Sequence, residues 1–192
     1  MCIADRPERT PQRPHADPIE PLIAAYTRGD ASAWDPLFDR LAPRLLGFFL
    51  RCLHDPELAE QHVQATFLEL HRSRRSYRRG TPALRWVFRT ASRVRIDGRS
   101  CLERPDSDGA SQQSPARGRG ESPRDRQVRE AIDNLSRIER TIIHLHRFER
   151  MSVEEITEVL GWTEAAVRRH LTSAYLQLRM RLWTLSDDGG AS

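Results

Sequence analysis

The sequence predicts an all-α protein: two small helical domains joined by a flexible linker, the second built as a helix-turn-helix. Three observations predict it. Apolar residues recur three and four apart through each candidate element. Helix-start signals precede several of them: Asp55 with Pro56, Thr81 with Pro82, and Ser152 with Glu155. Between the two helical stretches lies ERPDSDGASQQSPARGRGESPR, residues 103–124, with no large apolar side chain. Residues 103–123 therefore read as a linker between domains at 18–102 and 124–184, with disordered tails at 1–17 and 185–192. A flexible coil of that length spans roughly 26 Å on average.

In chain order, Pro18 to Arg28 forms a short amphipathic helix. Ala31 to Leu53 follows, with Trp34, Leu37, Phe38, Leu41, Leu45, Phe48 and Phe49 on its apolar side and a kink expected at Pro43. The helix opened by Asp55–Pro56 has Ala59, Val63, Phe67 and Leu70 on one face. The other face carries Gln61, Gln64, Ala65 and Leu68, with Glu57 just upstream. A merely solvated face would normally be richer in charge, which leaves open what this face touches. The Thr81–Pro82 start opens a helix expected to reach about Cys101. Leu84, Val87, Phe88, Ala91 and Val94 form its buried stripe, and Arg85, Arg89, Arg93 and Ile96 its outer face.

The second domain begins with helices at 124–135 and 137–148, whose core is Ile132, Leu135, Ile138, Ile142 and Leu145. The Ser152/Glu155 capping box then places a helix at 153–160, Gly161 supplies the turn, and Thr163 caps a helix to about Trp183. Val167, Leu171, Ala174, Leu178 and Leu182 face inward on that helix. Arg168, Arg169, Thr172 and Ser173 are expected to face outward. A helix, a glycine turn, and a helix with outward cations and hydroxyls is the plan of a DNA-reading helix-turn-helix.

All 31 basic residues are arginine, so every cation is a planar fork suited to phosphate or guanine edges. The net charge of +4 conceals a strong asymmetry. Residues 17–69 hold four Arg against nine acids, whereas residues 70–99 hold ten Arg against Asp97 alone. A second basic patch lies at 164–183. Two basic patches, each beside a neutral or acidic stretch, point to two contacts with one polyanion. The first 18 residues contain no apolar signal-peptide core, and no apolar run approaches a membrane span, so a cytoplasmic protein is expected. The three cysteines, Cys2, Cys52 and Cys101, are too scattered for a disulfide framework or a zinc site. No phosphate-binding glycine loop, metal cluster or nucleophile–base pair occurs, so neither an enzyme nor a cofactor is expected.

These pieces resemble the extracytoplasmic-function group of bacterial RNA polymerase sigma factors. The resemblance is carried by GDASAWDPLFDRLAPRLLGFFLRCLHDPELAEQHVQATFLELHRS, Tyr77 and LRWVFRTASRVRIDGRS. After the linker it continues through REAIDNLSRIERTIIHLHRFERMSVEEITEVLGW into the helix of Val167, Arg168 and Arg169. It implies that core RNA polymerase and promoter DNA are partners, with an anti-sigma factor as a further candidate. By position, Glu57, Gln61, Gln64, Ala65 and Leu68 fall on the polymerase-docking face. Tyr77, Arg78, Arg79, Arg85, Arg89, Arg93 and Arg99 fall on the surface that reads and helps to melt the −10 element. Arg168, Arg169, Thr172 and Ser173 fall on the face that reads the −35 element.

The chain departs from the family pattern at four positions. Gln61 and Ala65 stand where the family usually has acids, Arg93 where it often has Asn, and Ser136 where it often has Pro. The first two remove negative charge from the expected docking face. Two other readings therefore stay open: a sigma-like regulator with weakened docking that acts through a protein partner, and a stand-alone helix-turn-helix regulator.

Overall fold

The computed structural model describes residues 19–78, 80–94, 96 and 122–187; the expected tail 1–17 and linker residues 103–121 lie outside them. The described residues contain eight α-helices: α1 Ile19–Thr27, α2 Trp34–Leu53, α3 Pro56–Ser73, α4 Ala83–Ala91, α5 Pro123–Asp133, α6 Arg137–Ile143, α7 Val153–Leu160 and α8 Glu164–Asp187. No helix among them is long and apolar enough to cross a membrane.

Capping residues account for several boundaries. His54 ends α2 in the left-handed conformation, and the Asp55 carboxylate then accepts the Leu58 N–H at 3.1 Å to start α3, with Pro56 in its first turn. On α3 the whole expected stripe is buried, and His62 and Thr66 join it. His62 is fully buried, its Nδ1 2.7 Å from the Leu58 carbonyl and its ring against Phe49.

Ser136 caps α6 through a reciprocal box with Glu139, so this serine performs a helix-starting task of its own where the family often has proline. α7 has the expected bounds: Ser152 and Glu155 form its capping box, and Gly161, at φ 70°, ends it. Regular helix stops at Ile143 on α6, and the expected residues to Phe148 continue as a wider π-type turn. α8 runs three residues into the stretch expected as a C-terminal tail.

α4 differs from expectation at both ends. Thr81 does not cap it; the backbone N–H of Ala83 is held instead by the carboxylate of Glu20 on α1, at 2.8 Å. The helix ends at Ala91 rather than near Cys101. The Ser92 hydroxyl shares its hydrogen between the carbonyls of Arg89 and Val159, a local bond that competes with the helical ladder.

The two helical halves, α1–α4 and α5–α8, share one core. Ile142, Leu145, Met151, Ile156, Val159, Leu160 and Val167 belong to the same buried cluster as Phe48, Phe49 and Phe88. Each such fully buried side chain contributes about 1.5–3 kcal/mol. Polar contacts cross the same seam. Both Nε and Nη2 of Arg44 donate to Glu149, at 3.1 and 2.6 Å. Arg140 donates to the Arg51 carbonyl, Cys52 Sγ lies 3.1 Å from the Thr141 hydroxyl, and Arg51 lies over the Phe148 ring. A smaller cluster of Leu135, Ile143 and Ala174 seats α8 on α5 and α6.

Candidate nucleic-acid interface

The C-terminal half of α3 and the outer side of α4 bound a cleft of about 630 Å³. Ala65, Glu69, Arg72, Ser73 and Ser76 line one wall, and Trp86, Arg89, Thr90, Arg93 and Val94 the other. Three guanidiniums against one carboxylate make it cationic, as the arginine-rich stretch predicts. The hydroxyls of Ser73, Ser76 and Thr90 donate to backbone carbonyls, so their lone pairs are what they offer a ligand. Trp86 is half-buried and adds an aromatic surface. Cations for phosphate beside an indole for a base are the components of a single-strand site.

The loop beneath the cleft is held by Tyr77. Its hydroxyl hydrogen is shared between the Thr81 carbonyl at 2.8 Å and Glu20 Oε1 at 3.1 Å, and its ring packs on Trp86 with centroids 5.1 Å apart. Burial and the neighbouring Glu20 carboxylate push the phenol up to about 12, so Tyr77 stays a neutral donor. This ring closes its own loop and supports Trp86, whereas the sequence suggested a DNA contact. Arg78 beside it is exposed. Arg79 and Arg99 lie outside the described residues.

The cationic face expected on α4 divides in two. Arg89 and Arg93 line the cleft, Arg93 from the turn that follows the helix. Arg85 instead meets α7, 2.5 Å from Glu158 and 3.5 Å from Glu155. Its expected outward position is thus occupied, because the second half of the chain packs over the start of α4.

On α8, Arg168, Arg169 and Thr172 are exposed as expected. Arg168 is 2.6 Å from Glu164 one turn earlier and 3.7 Å from Glu154 on α7, a brace at the surface. Ser173 departs from expectation: its hydroxyl donates to Glu139 at 2.7 Å, as does Gln177 Nε2 at 2.8 Å. Burial raises the Glu139 pKa, but the bonds from Ser173 and Ser136 outweigh it and hold the carboxylate ionised. Ser173 thus fixes α8 on α6; it lies toward the inner side of the helix, next to Ala174.

The outer face of α3 is open. Glu57, Gln61 and Gln64 are exposed, and Leu68 is 58% exposed beside them. Ala65 is half-buried and lines the cleft, so it sits at the border between the docking face and the cationic cleft. Trp86 and Arg72 are site residues that sequence reasoning passed over. The signal was an aromatic set among arginines at Arg85 and Arg89, which charge counting alone does not weigh.

Residues 37–104 match Sigma-70 region 2, and residues 125–178 match Sigma-70, region 4. The chain is 32% identical over 166 residues to RNA polymerase sigma factor CarQ of Myxococcus xanthus, covering 83% of this chain and 95% of that protein. The chain belongs to the RNA polymerase sigma factors. An ECF RNA polymerase sigma factor, SigK of a Mycobacterium species, is 25% identical over 80% of the chain and 84% of its own length, and the group is the extracytoplasmic-function one. The fold is shared with the sigma factor RpoE of Bartonella quintana, solved in complex with the anti-sigma factor NepR. The TM-score is 0.55 at 17% identity, over 78% of this chain and 96% of that one. As an alternative sigma factor, the protein binds core RNA polymerase and directs promoter-specific transcription initiation.

Proposed function

We propose that the α3–α4 cleft holds the melted −10 strand, with Trp86 as the stacking surface and Arg72, Arg89 and Arg93 as its phosphate contacts. The observation that carries this is the placement of an indole beside three guanidiniums in a cleft of nucleotide size. Arg168, Arg169 and Thr172 read the −35 duplex from the major groove, where an arginine fork on guanine contributes about 1–3 kcal/mol of discrimination. The open face of Glu57, Gln61, Gln64 and Leu68 docks on core polymerase. Its neutral glutamines and exposed leucine support docking by packing and hydrogen bonding more than by ion pairs. The protein works in the cytoplasm as an initiation factor without catalytic chemistry of its own, and an anti-sigma factor is a fitting regulator.

Trp86→Ala tests the cleft. In a reconstituted polymerase on a cognate promoter, the variant should bind core enzyme normally and lose roughly tenfold or more in strand opening, followed by permanganate reactivity at the −10 thymines. Unchanged opening would remove the cleft from promoter melting.

A further inference from the structure

The α3–α4 cleft holds one group that phosphate binding does not call for. Glu69 is the only carboxylate among the described residues that line it, on the α3 wall with Ala65 and Arg72 and across from Trp86, Arg89 and Arg93. Arg72 lies three residues further along the helix, a spacing that permits an ion pair. None forms. Among the described residues the Glu69 side chain enters no ion pair and no hydrogen bond, while its backbone carbonyl accepts the Ser73 hydroxyl at 2.6 Å. The residue is exposed, so its carboxylate is open to a ligand in the cleft.

We infer that Glu69 is a base-reading residue: it accepts the exocyclic amine of a cytosine, adenine or guanine stacked on Trp86, and it disfavours thymine. The inference rests on the proposed reading that the cleft holds the melted −10 strand. A carboxylate in this place has one kind of partner on such a strand. The phosphate and sugar oxygens of DNA are acceptors, which suit the guanidiniums of Arg72, Arg89 and Arg93 and repel a carboxylate. DNA has no 2′-hydroxyl to donate. What remains are the N–H groups on base edges. Cytosine, adenine and guanine each present an amine there. Thymine presents a single ring N–H flanked by two carbonyl oxygens, which the carboxylate repels. Ser73, Ser76 and Thr90 also offer lone pairs, but uncharged ones, so Glu69 is the strongest acceptor on either wall. Ala65, one turn earlier on the same wall, is small and leaves space beside the carboxylate for a base edge.

The test uses polymerase reconstituted with the full chain and fluorescein-labelled single strands in which each position of the −10 segment is in turn each of the four bases. Wild type should show one position at which an amine-bearing base binds about fivefold or more tighter than thymine. Glu69→Ala should bind core enzyme normally and lose that preference, with the other positions unchanged. An analogue of the preferred base without its amine (2-pyrimidinone for cytosine, purine for adenine, hypoxanthine for guanine) should cost wild type about the same factor and Glu69→Ala nothing. A preference that survives Glu69→Ala overturns the inference, as does the lack of any amine preference in wild type. A gain equal on every strand also overturns it, because Glu69 would then only repel phosphate. Trp86→Ala in the same assay keeps the two readings apart. If it weakens binding of every strand while Glu69→Ala leaves base preference intact, only the base-reading role falls. Unchanged strand binding by Trp86→Ala removes the cleft itself.

Discussion

The carboxylate of Glu20 on α1 accepts the backbone N–H of Ala83, at 2.8 Å, and so starts α4 from a distant part of the chain. The other oxygen of the same group accepts from Tyr77, whose hydroxyl also reaches Thr81. One side chain thus fixes the first turn of α4 and the loop before it, and both position Trp86.

Removing that carboxylate should loosen the loop and the helix start together. Glu20→Ala is expected to cost about 1–2 kcal/mol of stability, since it leaves the Ala83 N–H without its partner. Tyr77→Phe should cost less, about 1 kcal/mol, because it removes a single hydroxyl. Urea unfolding of the three proteins checks the order. Equal stability of Glu20→Ala and wild type would show that the loop holds itself.

Neighbouring residues on α8 should separate by role. Ser173→Ala removes the bond to Glu139 and is expected to cost about 1 kcal/mol of stability while leaving base preference intact. Arg168→Ala should leave stability nearly unchanged, because its ion pairs lie at the surface, and relax preference at one base pair of the upstream element. Selection from randomised promoter libraries reads preference directly. An equal loss on every sequence would make Arg168 a phosphate contact.

Stability should fall as pH drops below about 6.5. Burial lowers the pKa of His144; Glu149 pulls it upward, and Arg51 and Arg44 add to the lowering. His54 is lowered by burial and Arg140, against Asp133 and with Arg137. A histidine whose folded pKa lies below its unfolded value binds more protons when unfolded. Its stability contribution is therefore complete above the unfolded pKa and declines as pH falls from there toward the folded pKa. The urea midpoint should drop between about pH 7.5 and pH 5, and His144→Gln should flatten part of that slope. A midpoint that rises on acidification would contradict these shifts.

The docking face makes a prediction of the opposite kind, a gain. Gln61→Asp with Ala65→Glu restores the charges usual in the family and should tighten core-polymerase binding by about tenfold. Because Ala65 also lines the cleft, the single Ala65→Glu change should weaken single-strand binding, which Gln61→Asp alone should not. Unchanged core affinity in the double variant would place polymerase docking elsewhere.

How far the sequence could be read depended on how local the determinants were. Ser152, Glu155 and Gly161 are within one short stretch, and the helix they bound was legible to the residue. The start of α4 was not, because its cap comes from Glu20, 63 residues away. Nor was its end, where Ser92 turns to a carbonyl on α7. The shared core was hidden for a similar reason. Phe48, Phe88, Ile142 and Leu145 each fit an ordinary apolar stripe, and periodicity does not say which half of the chain a stripe packs against. That unread contact is what separates Arg85 from Arg89 on α4 and from Arg93 in the turn after it.

The most direct measurement places a photoreactive thymine analogue in the −10 non-template strand of the complex with core polymerase and maps the crosslinked peptide. Attachment is expected within Ala83–Val94, along the wall that carries Trp86. Crosslinks confined to α8 or to the polymerase subunits would contradict it.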